Sequence, residues 1–274
     1  MTRIAVLQMC SGVDPDDNTD VIVDALQRAA SGSAAMLFTP EMSIALDSNR
    51  KRASGSITTE DNNPYIERLR RACSETGVWL SLGSCAVLAG EQRWANRALV
   101  IDASGRICAR YDKMHMFDVD LASGESWRES KTYRPGQDVV TIETPAGHLG
   151  LSICYDIRFP ALYQELGRLS CDVIAIPAAF TVPTGQAHWH ILQRARAIES
   201  SCYVVAAAQA GSHADGRRTY GHSLVIDPWG EVLLDMGDKP DIAFVDLDNA
   251  RLAEVRAQLP SLANRRHIPQ SSAQ

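Results

Sequence analysis

The sequence lacks long apolar runs, an excess of basic charge and any low-complexity stretch. Its 274 residues include 27 lysines and arginines against 33 aspartates and glutamates, which gives a formal net charge of −6, and 45% of them are hydrophobic. An acidic chain with scattered basic residues has no footprint for nucleic acid or an anionic membrane. No apolar run approaches the length of a membrane span. Since no Pro-, Gly- or Ser-rich linker divides it, the chain is predicted to form one domain over residues 1–274.

Disulfides and a secretion signal are not indicated either. Seven cysteines is an odd number, and most lie in apolar runs, where a free thiol behaves as a small hydrophobe. The first residues, MTRIAVLQ, have no signal-type apolar core followed by a cleavage site. These features predict a cytoplasmic protein without disulfides.

Hydrophobic periodicity predicts alternating strands and helices. Strands are expected over residues 3–9, 34–39 and 78–88, and helices over residues 17–30, 59–76, 160–168, 186–200 and 250–258. Residues 100–107 and 225–232 share one layout, in which an aspartate opens a turn between two strands and a glycine closes it. This repetition suggests two related halves, with two packed sheets and helices outside.

A glutamate, a lysine and a cysteine each follow a short apolar or β-branched run. They are Glu41 in MLFTPE, Lys113 in RYDK and Cys154 in GLSICYD. Pro, Gly or charge breaks each run, so the three side chains are predicted at strand ends, where α/β enzymes hold their chemistry. A carboxylate can activate a thiol nucleophile, and an ammonium can stabilise the oxyanion that forms when the thiolate attacks a carbonyl. Together they could cleave an amide.

Cys154 is predicted at a corner between a strand and a helix. Residues 149–153 read as a strand, and Pro160 is a favoured first residue of a helix. A helix start is expected to lower the pKa of the thiol from about 8.5. Taken singly, however, a buried structural cysteine is the commoner interpretation.

The segments around these residues resemble the signature blocks of the nitrilase superfamily. The sequence reads FTPE at 38–41, YDKMHM at 111–116 and GLSICYDIRFP at 150–160, in the family order of Glu, Lys and Cys. Similar stretches from WLSLG to DPWG extend the resemblance over essentially the whole chain. It implies an α/β fold, a four-layer αββα sandwich, which is usually assembled into a homodimer or higher homo-oligomer. It also implies no cofactor and no metal.

The resemblance further implies a role for each matched residue. Cys154 would be the nucleophile of an acyl-enzyme mechanism and Glu41 its general base. Lys113 and the backbone N–H of Tyr155 would hold the oxyanion. Glu129, in RESKTYRPG at 128–136, matches a second active-site glutamate and would keep Lys113 charged and oriented.

Substrate-binding residues are less sharply defined. Phe180 and Thr181 are candidates, together with Arg158, which could bind a substrate carboxylate. A guanidinium near a core is more often paired with internal carboxylates, and that reading stays open for Arg158. Residues 118–127 depart from the patterns of the related amidases, so the rim of the pocket is not predicted.

The residues after the nucleophile indicate the branch of the superfamily. CYDIRFP resembles the Nit-type amidases, whereas true nitrilases have Trp-Glu there. The stretch YVVAAAQAGSH at 203–213 is similar to amidases of deaminated glutathione, so hydrolysis of this small α-keto acid is the favoured function. The alternatives are an ω-amidase acting on α-ketoglutaramate, another small-amide or N-carbamoyl hydrolase, and a non-catalytic interaction platform.

Four histidines could in principle ligate a metal. His188, His190, His213 and His222 lack a cysteine or carboxylate partner at a known ligand spacing, so a structural role is predicted for them.

Overall fold

The computed structural model describes residues 1–90, 93–120, 124 and 126–269 and contains two six-stranded sheets of the same design. Three parallel strands form the centre of each sheet, with one antiparallel strand on one side and an antiparallel pair on the other. The first sheet has the order β16-β1-β2-β3-β4-β5 and the second the order β15-β14-β11-β10-β9-β8. The repeated design supports the predicted relation between the two halves.

The first sheet consists of β1 (Thr2–Gln8), β2 (Met36–Phe38), β3 (Trp79–Leu88), β4 (Trp94–Ile101), β5 (Ile107–Asp112) and β16 (Asp241–Leu247). The second consists of β8 (Thr141–Thr144), β9 (Gly147–Leu151), β10 (Val173–Ala175), β11 (Tyr203–Ala206), β14 (Leu224–Ile226) and β15 (Val232–Asp235). Two short hairpins pair β6 (Asp118–Asp120) with β7 (Ser126–Arg128), and β12 (Ala210–Ser212) with β13 (Arg218–Tyr220). The helices are α1 (Pro15–Ser31), α2 (Arg50–Ala53), α3 (Pro64–Thr76), α4 (Pro160–Arg168), α5 (Val182–Ser200) and α6 (Asn249–Gln258).

Strand β1 shows why the chain forms layers. Ile4 and Val6 face the second sheet, whereas Ala5 and Leu7 face the helices on the outside of the first sheet. Successive side chains of a strand point to opposite faces, so a run that is apolar throughout must be covered on both. Helices α1 and α3 cover the first sheet, and α4 and α5 pack on the second. The implied four-layer αββα sandwich is confirmed.

The helix predicted over residues 59–76 is wrong at its start. Residues Glu60–Asn62 form a separate 3-10 turn, and α3 begins only at Pro64. A proline disfavours the helical conformation in the residue before it, and Asn63 is extended there. The Asn63 side chain caps the new helix by accepting hydrogen bonds from the backbone N–H groups of Tyr65 and Ile66.

The two predicted hairpins are confirmed, and each turn is closed by its aspartate. Asp102 Oδ1 accepts hydrogen bonds from the N–H groups of Ser104 and Arg106. Asp227 Oδ1 accepts the equivalent pair from residues 229 and 231. All seven cysteines are free. Among the described residues, no helix combines the length and apolar character needed to cross a membrane.

Candidate active site

Three strands deliver the predicted catalytic side chains to one location. Glu41 lies three residues after β2, Cys154 three residues after β9, and Lys113 directly after β5. Strands β2 and β9 belong to the parallel cores of opposite sheets, so their carboxyl ends can place one residue from each sheet in a common cleft.

Close packing at Gly83 on β3 brings the two sheets together beside this cleft. A Cβ atom at this position would lie 2.0 Å from the carbonyl oxygen of Thr39 and 2.5 Å from Cβ of Pro177. Thr39 belongs to the loop that carries Glu41, and Pro177 accepts the backbone N–H of Cys154 at 2.8 Å. Glycine is therefore required where the loops of the base and the thiol meet.

Lys113 lies between two carboxylates and is only 2% exposed. Its Nζ donates to Glu41 Oε1 at 2.9 Å, and to Glu129 Oε2 and Oε1 at 2.9 and 3.2 Å. Burial alone would lower the pKa of the ammonium, but the charges of Glu129 and Glu41 outweigh it and raise this pKa well above its usual value. The two carboxylates thus hold the lysine in its charged form.

Glu41 is held as a carboxylate although it is buried. Burial raises the pKa of this group, but the charge of Lys113 and hydrogen bonds from Lys113, Cys154 and Asn96 lower it below its usual value overall. Oε2 also accepts the backbone N–H of Ala179 at 3.0 Å. An ionised carboxylate that is hydrogen-bonded to a thiol can act as its base.

Cys154 occupies a tight turn rather than the start of a regular helix. It opens the 3-10 turn Cys154–Arg158, and its φ of +47° lies in the left-handed region. Burial, followed by the negative charge of Glu41, raises the pKa of the thiol well above its usual value. The lowered pKa expected from the sequence is therefore wrong, because the turn is buried and faces a carboxylate. The sulfur is a neutral thiol that needs a base.

The backbone next to the nucleophile presents an N–H group to the site. The N–H of Cys154 donates to Pro177 and that of Asp156 donates to Ile153. Between them, the N–H of Tyr155 donates to no acceptor in the part of the chain that the structure describes. It is therefore available to an acceptor in the site, as an oxyanion donor must be.

Two buried polar residues that the sequence analysis missed hold these groups in place. Asn96 Nδ2 donates to Glu41 Oε1 at 2.9 Å and to Glu129 Oε1 at 3.2 Å. Asp156 is fully buried and accepts from the Tyr111 hydroxyl at 2.7 Å. It also accepts the backbone N–H groups of His115 and Ile153, each at 2.9 Å, and so joins the lysine loop to the cysteine loop. In the sequence, the position of Asn96 as a polar residue within the largely apolar strand β4 could have indicated a buried polar role.

Glu41, Lys113, Glu129 and Cys154 line a cavity of about 420 Å³. Aromatic side chains line its walls, together with several arginines; they include Trp94, Phe117, Trp127, Tyr133, Tyr155, Phe180, Arg158 and Arg217. A pocket of this size accepts a small molecule and combines apolar walls with a few polar groups. Of the rim segment 118–127, residues 121–123 and 125 lie outside the described residues.

Arg158 lines the cavity and contacts two aromatic rings and a histidine. Its guanidinium lies 5.9 Å from the ring centre of Tyr155 and 5.5 Å from that of Phe180, and both of its Nη atoms are 3.4 Å from His188 Nδ1. No carboxylate among the described residues forms an ion pair with it. The internal pairing that the sequence left open is not observed. Phe180 and Thr181 line the same cavity.

The stretch 203–213 lies behind the pocket rather than in its lining. Gln209 Nε2 donates to the backbone carbonyl of Glu41 at 3.0 Å and to Ser11 Oγ at 2.7 Å. His213 Nε2 is 2.7 Å from Oγ1 of Thr219, which does line the cavity. The stretch also pairs with β13, so that Gly211 lies opposite Thr219 and Ser212 opposite Arg218, and both partners line the cavity. It therefore contacts the loop of the base and several residues of the cavity wall.

The four histidines are not gathered at one place. His188 lies beside Arg158, and His213 beside Thr219. His190 and His222 instead meet at Asp235, a residue that the sequence analysis had not connected with them.

Replacement of Lys113 with methionine is expected to lower the free energy of unfolding at pH 7 by about 3–5 kcal/mol, because it leaves Glu41 and Glu129 buried without their cation. In the native protein the lowered pKa of Glu41 contributes stability above its usual pKa, and this contribution is lost as pH falls. In the variant the buried Glu41 carboxyl, left without its cation, should have a raised pKa, so the loss of stability relative to the native protein should shrink towards pH 4. Denaturant unfolding from pH 4 to 8 measures the difference.

The matched control for this prediction is Lys131→Met, because Lys131 is exposed to solvent. This variant should unfold like the native protein at every pH. If Lys113→Met behaved in the same way, the structural role given to the buried lysine would be contradicted.

The chain is similar to known proteins along most of its length. Residues 3–257 match the family described as Carbon-nitrogen hydrolase. The deaminated glutathione amidase of Yersinia enterocolitica is 38% identical over 269 residues, which cover 97% of this chain and 93% of the relative. The solved structure of the Caenorhabditis elegans NitFhit protein has a TM-score of 0.90 and 35% identity, covering 100% of this chain and 68% of that chain. A mutant amidase from Nesterenkonia sp. AN1, with acrylamide added at its active site cysteine, has a TM-score of 0.79 and 26% identity, covering 95% of this chain and 98% of that one.

Proposed function

We propose that this chain, which belongs to the carbon-nitrogen hydrolase family, cleaves the amide bond of deaminated glutathione through an acyl-enzyme on Cys154. The observation that carries the proposal is the buried contact of Glu41, Lys113 and Cys154 in a cavity that Arg158 also lines. Conversion of this side product of transamination of glutathione would make the enzyme one of metabolite repair.

The first chemical step forms the thioester. Glu41 takes the proton of the Cys154 thiol as the sulfur attacks the amide carbonyl. Negative charge then develops on the carbonyl oxygen, where Lys113 Nζ and the Tyr155 N–H stabilise it. Protonation of Glu41 removes one of the two negative charges that hold the ammonium, so Lys113 becomes freer to bind the oxyanion at that moment.

The second step releases the amine and then the acid. Protonated Glu41 gives its proton to the nitrogen of the breaking C–N bond, and the amine leaves as Cys-Gly. The carboxylate of Glu41 then accepts a proton from water as the water oxygen attacks the thioester. When the C–S bond breaks, Glu41 returns that proton to the sulfur of Cys154, and the acid product leaves as a carboxylate after losing its proton to solvent. Throughout, Glu129 stays with Lys113 and Asn96 and fixes their direction.

The walls of the cavity support an anionic α-keto acid substrate. Deaminated glutathione carries a carboxylate next to its keto group, and Arg158 offers a guanidinium that forms no ion pair with a carboxylate in the described part of the chain. The rings of Tyr155 and Phe180 contact the guanidinium and limit the positions that it can take in the cavity wall. The name of the Yersinia enterocolitica relative agrees with this substrate.

A competition between two substrates in one tube tests the proposal. Deaminated glutathione should be consumed with a higher kcat/KM than α-ketoglutaramate, because contacts to its Cys-Gly portion can help to position the carbonyl against Cys154. The leaving groups differ, so the assay must follow free Cys-Gly as well as ammonia. A ratio that favours α-ketoglutaramate would contradict the proposed substrate, and failure to cleave either would contradict the proposed function.

Arg158→Gln separates substrate binding from chemistry within the same assay. We expect it to lower kcat/KM for both α-keto acids by about 10- to 100-fold, the range for one charge-assisted contact. The matched control is Arg168→Gln on α4, because Arg168 is exposed and pairs with Glu165 outside the cavity. Equal kcat/KM in the two variants would remove Arg158 from the binding site.

A further inference from the structure

We infer that His190, His222 and Asp235 form a binding site for a divalent transition-metal ion of the zinc type, outside the active-site cavity. Three separate segments of the chain bring these residues together: α5 carries His190, the loop after β13 carries His222, and Asp235 ends β15. One ligand atom from each lies within 4.8 Å of the other two. None of the three lines the cavity of the proposed amidase site.

The distances suit a first-row metal ion. His190 Nε2 is 2.9 Å from Asp235 Oδ2, and His222 Nδ1 is 2.8 Å from Asp235 Oδ1. Zinc binds histidine nitrogen and carboxylate oxygen at about 2.0–2.2 Å, which places neighbouring ligand atoms of a tetrahedron about 3.3–3.5 Å apart. Small movements of three side chains would therefore complete three corners of such a site.

The donor set selects the class of ion. Two imidazoles and one carboxylate favour zinc, cobalt, nickel or copper over calcium and magnesium, which prefer oxygen ligands. The side chains of His190, His222 and Asp235 are 35%, 26% and 34% exposed, so solvent reaches them and water can fill the remaining coordination position.

The backbone holds His222 in a conformation that aims it at the cluster. Its φ of +54° is left-handed, which residues other than glycine rarely adopt. Its N–H donates to the carbonyl of Gly237 at 2.6 Å, and its carbonyl accepts the indole N–H of Trp189 at 2.7 Å. Tyr220 stacks on the ring with the centroids 4.4 Å apart. These contacts orient His222 before any ion binds, as the residues around the ligands do in metal sites.

Binding of Co²⁺ to the full-length, EDTA-treated protein tests the inference, because the visible spectrum of Co²⁺ reports its coordination. We expect one equivalent to bind, Zn²⁺ to displace it, and Zn²⁺ at about 100 times its Kd to raise Tm by roughly 5 °C. His190→Gln and Asp235→Asn should each weaken binding by about 100-fold or more. His148→Gln, a histidine on β9 outside the cluster, is the matched control and should bind normally.

A further variant identifies the ligand directly. His190→Cys should keep binding and add a near-ultraviolet sulfur-to-cobalt charge-transfer band that the native protein lacks, since a thiolate is a strong ligand for these ions. Turnover should be the same before and after EDTA treatment, because the site lies outside the cavity. No binding, unchanged binding in His190→Gln and Asp235→Asn, or a loss of turnover with EDTA would each overturn the inference. None of the binding results depends on the amidase substrate, so the two proposals can fail separately.

Discussion

Cys154→Ala is expected to abolish turnover, by at least about 10⁴-fold, while the protein remains folded. The substitution removes only the sulfur that would form the thioester, and no other described group can replace it in the turn Cys154–Arg158. Alanine should adopt the left-handed φ of residue 154 as readily as cysteine does, since both are L-residues with a Cβ. Release of Cys-Gly from deaminated glutathione, measured beside a thermal melt, checks both halves of the expectation.

Two further variants sharpen this test. Cys154→Ser should be nearly as inactive, because Glu41 is a weak base for generating an alkoxide. Cys73→Ala removes a buried sulfur from α3, away from the cavity, and controls for the loss of packing alone. It should keep full activity with a slightly lower Tm. Measurable turnover in Cys154→Ala would contradict the proposed covalent mechanism.

Glu41→Gln is expected to lower kcat by about 10²- to 10⁴-fold, the usual contribution of a general base. The same change should make the thiol more acidic. Burial and the charge of Glu41 are the two largest causes that raise the pKa of Cys154, and the variant removes the second while the Lys113 ammonium remains. The pH midpoint of alkylation by iodoacetamide should therefore move to a lower pH although turnover is lost.

Single-turnover rates and the alkylation profile decide this prediction together. Glu143→Gln on β8 is the matched control, because Glu143 is exposed and outside the cavity. Near-normal acylation and deacylation in Glu41→Gln would show that another group is the base. A midpoint that moved to higher pH would contradict the electrostatic account of the thiol.

The strand ends that carry chemistry could be predicted because they depend on local patterns. Glu41, Lys113 and Cys154 each follow an apolar run that is broken by a charge or a turn residue, and the topology then brings the three together. The fold could be predicted from the same periodicity and from the family resemblance. Helix boundaries near Pro64 were missed, since local proline geometry overrode the apolar pattern.

Properties that depend on distant partners could not be predicted from the sequence. The pKa of Cys154 is raised by burial and by Glu41, which is 113 positions earlier in the chain. Asn96 supports the site through Glu41 and Glu129, which lie 55 and 33 positions away in the chain. Asp156 supports it through Tyr111 on the other sheet. A polar residue in an apolar strand marks Asn96 as unusual, but it does not identify these partners. The cluster of His190, His222 and Asp235 requires the pairing of β14 with β15, which brings Asp235 beside the two histidines.

The buried group of two glutamates, one lysine and one thiol conserves its total charge during acylation. Before attack it holds the negative charges of Glu41 and Glu129 and the positive charge of Lys113, a sum of −1. After attack Glu41 is neutral and the oxyanion carries the negative charge instead, so the sum is still −1. The reaction therefore moves one negative charge a few ångströms within the buried active site, and no ion has to pass between this site and solvent. Little rearrangement of surrounding water is required, which keeps the electrostatic part of the barrier low.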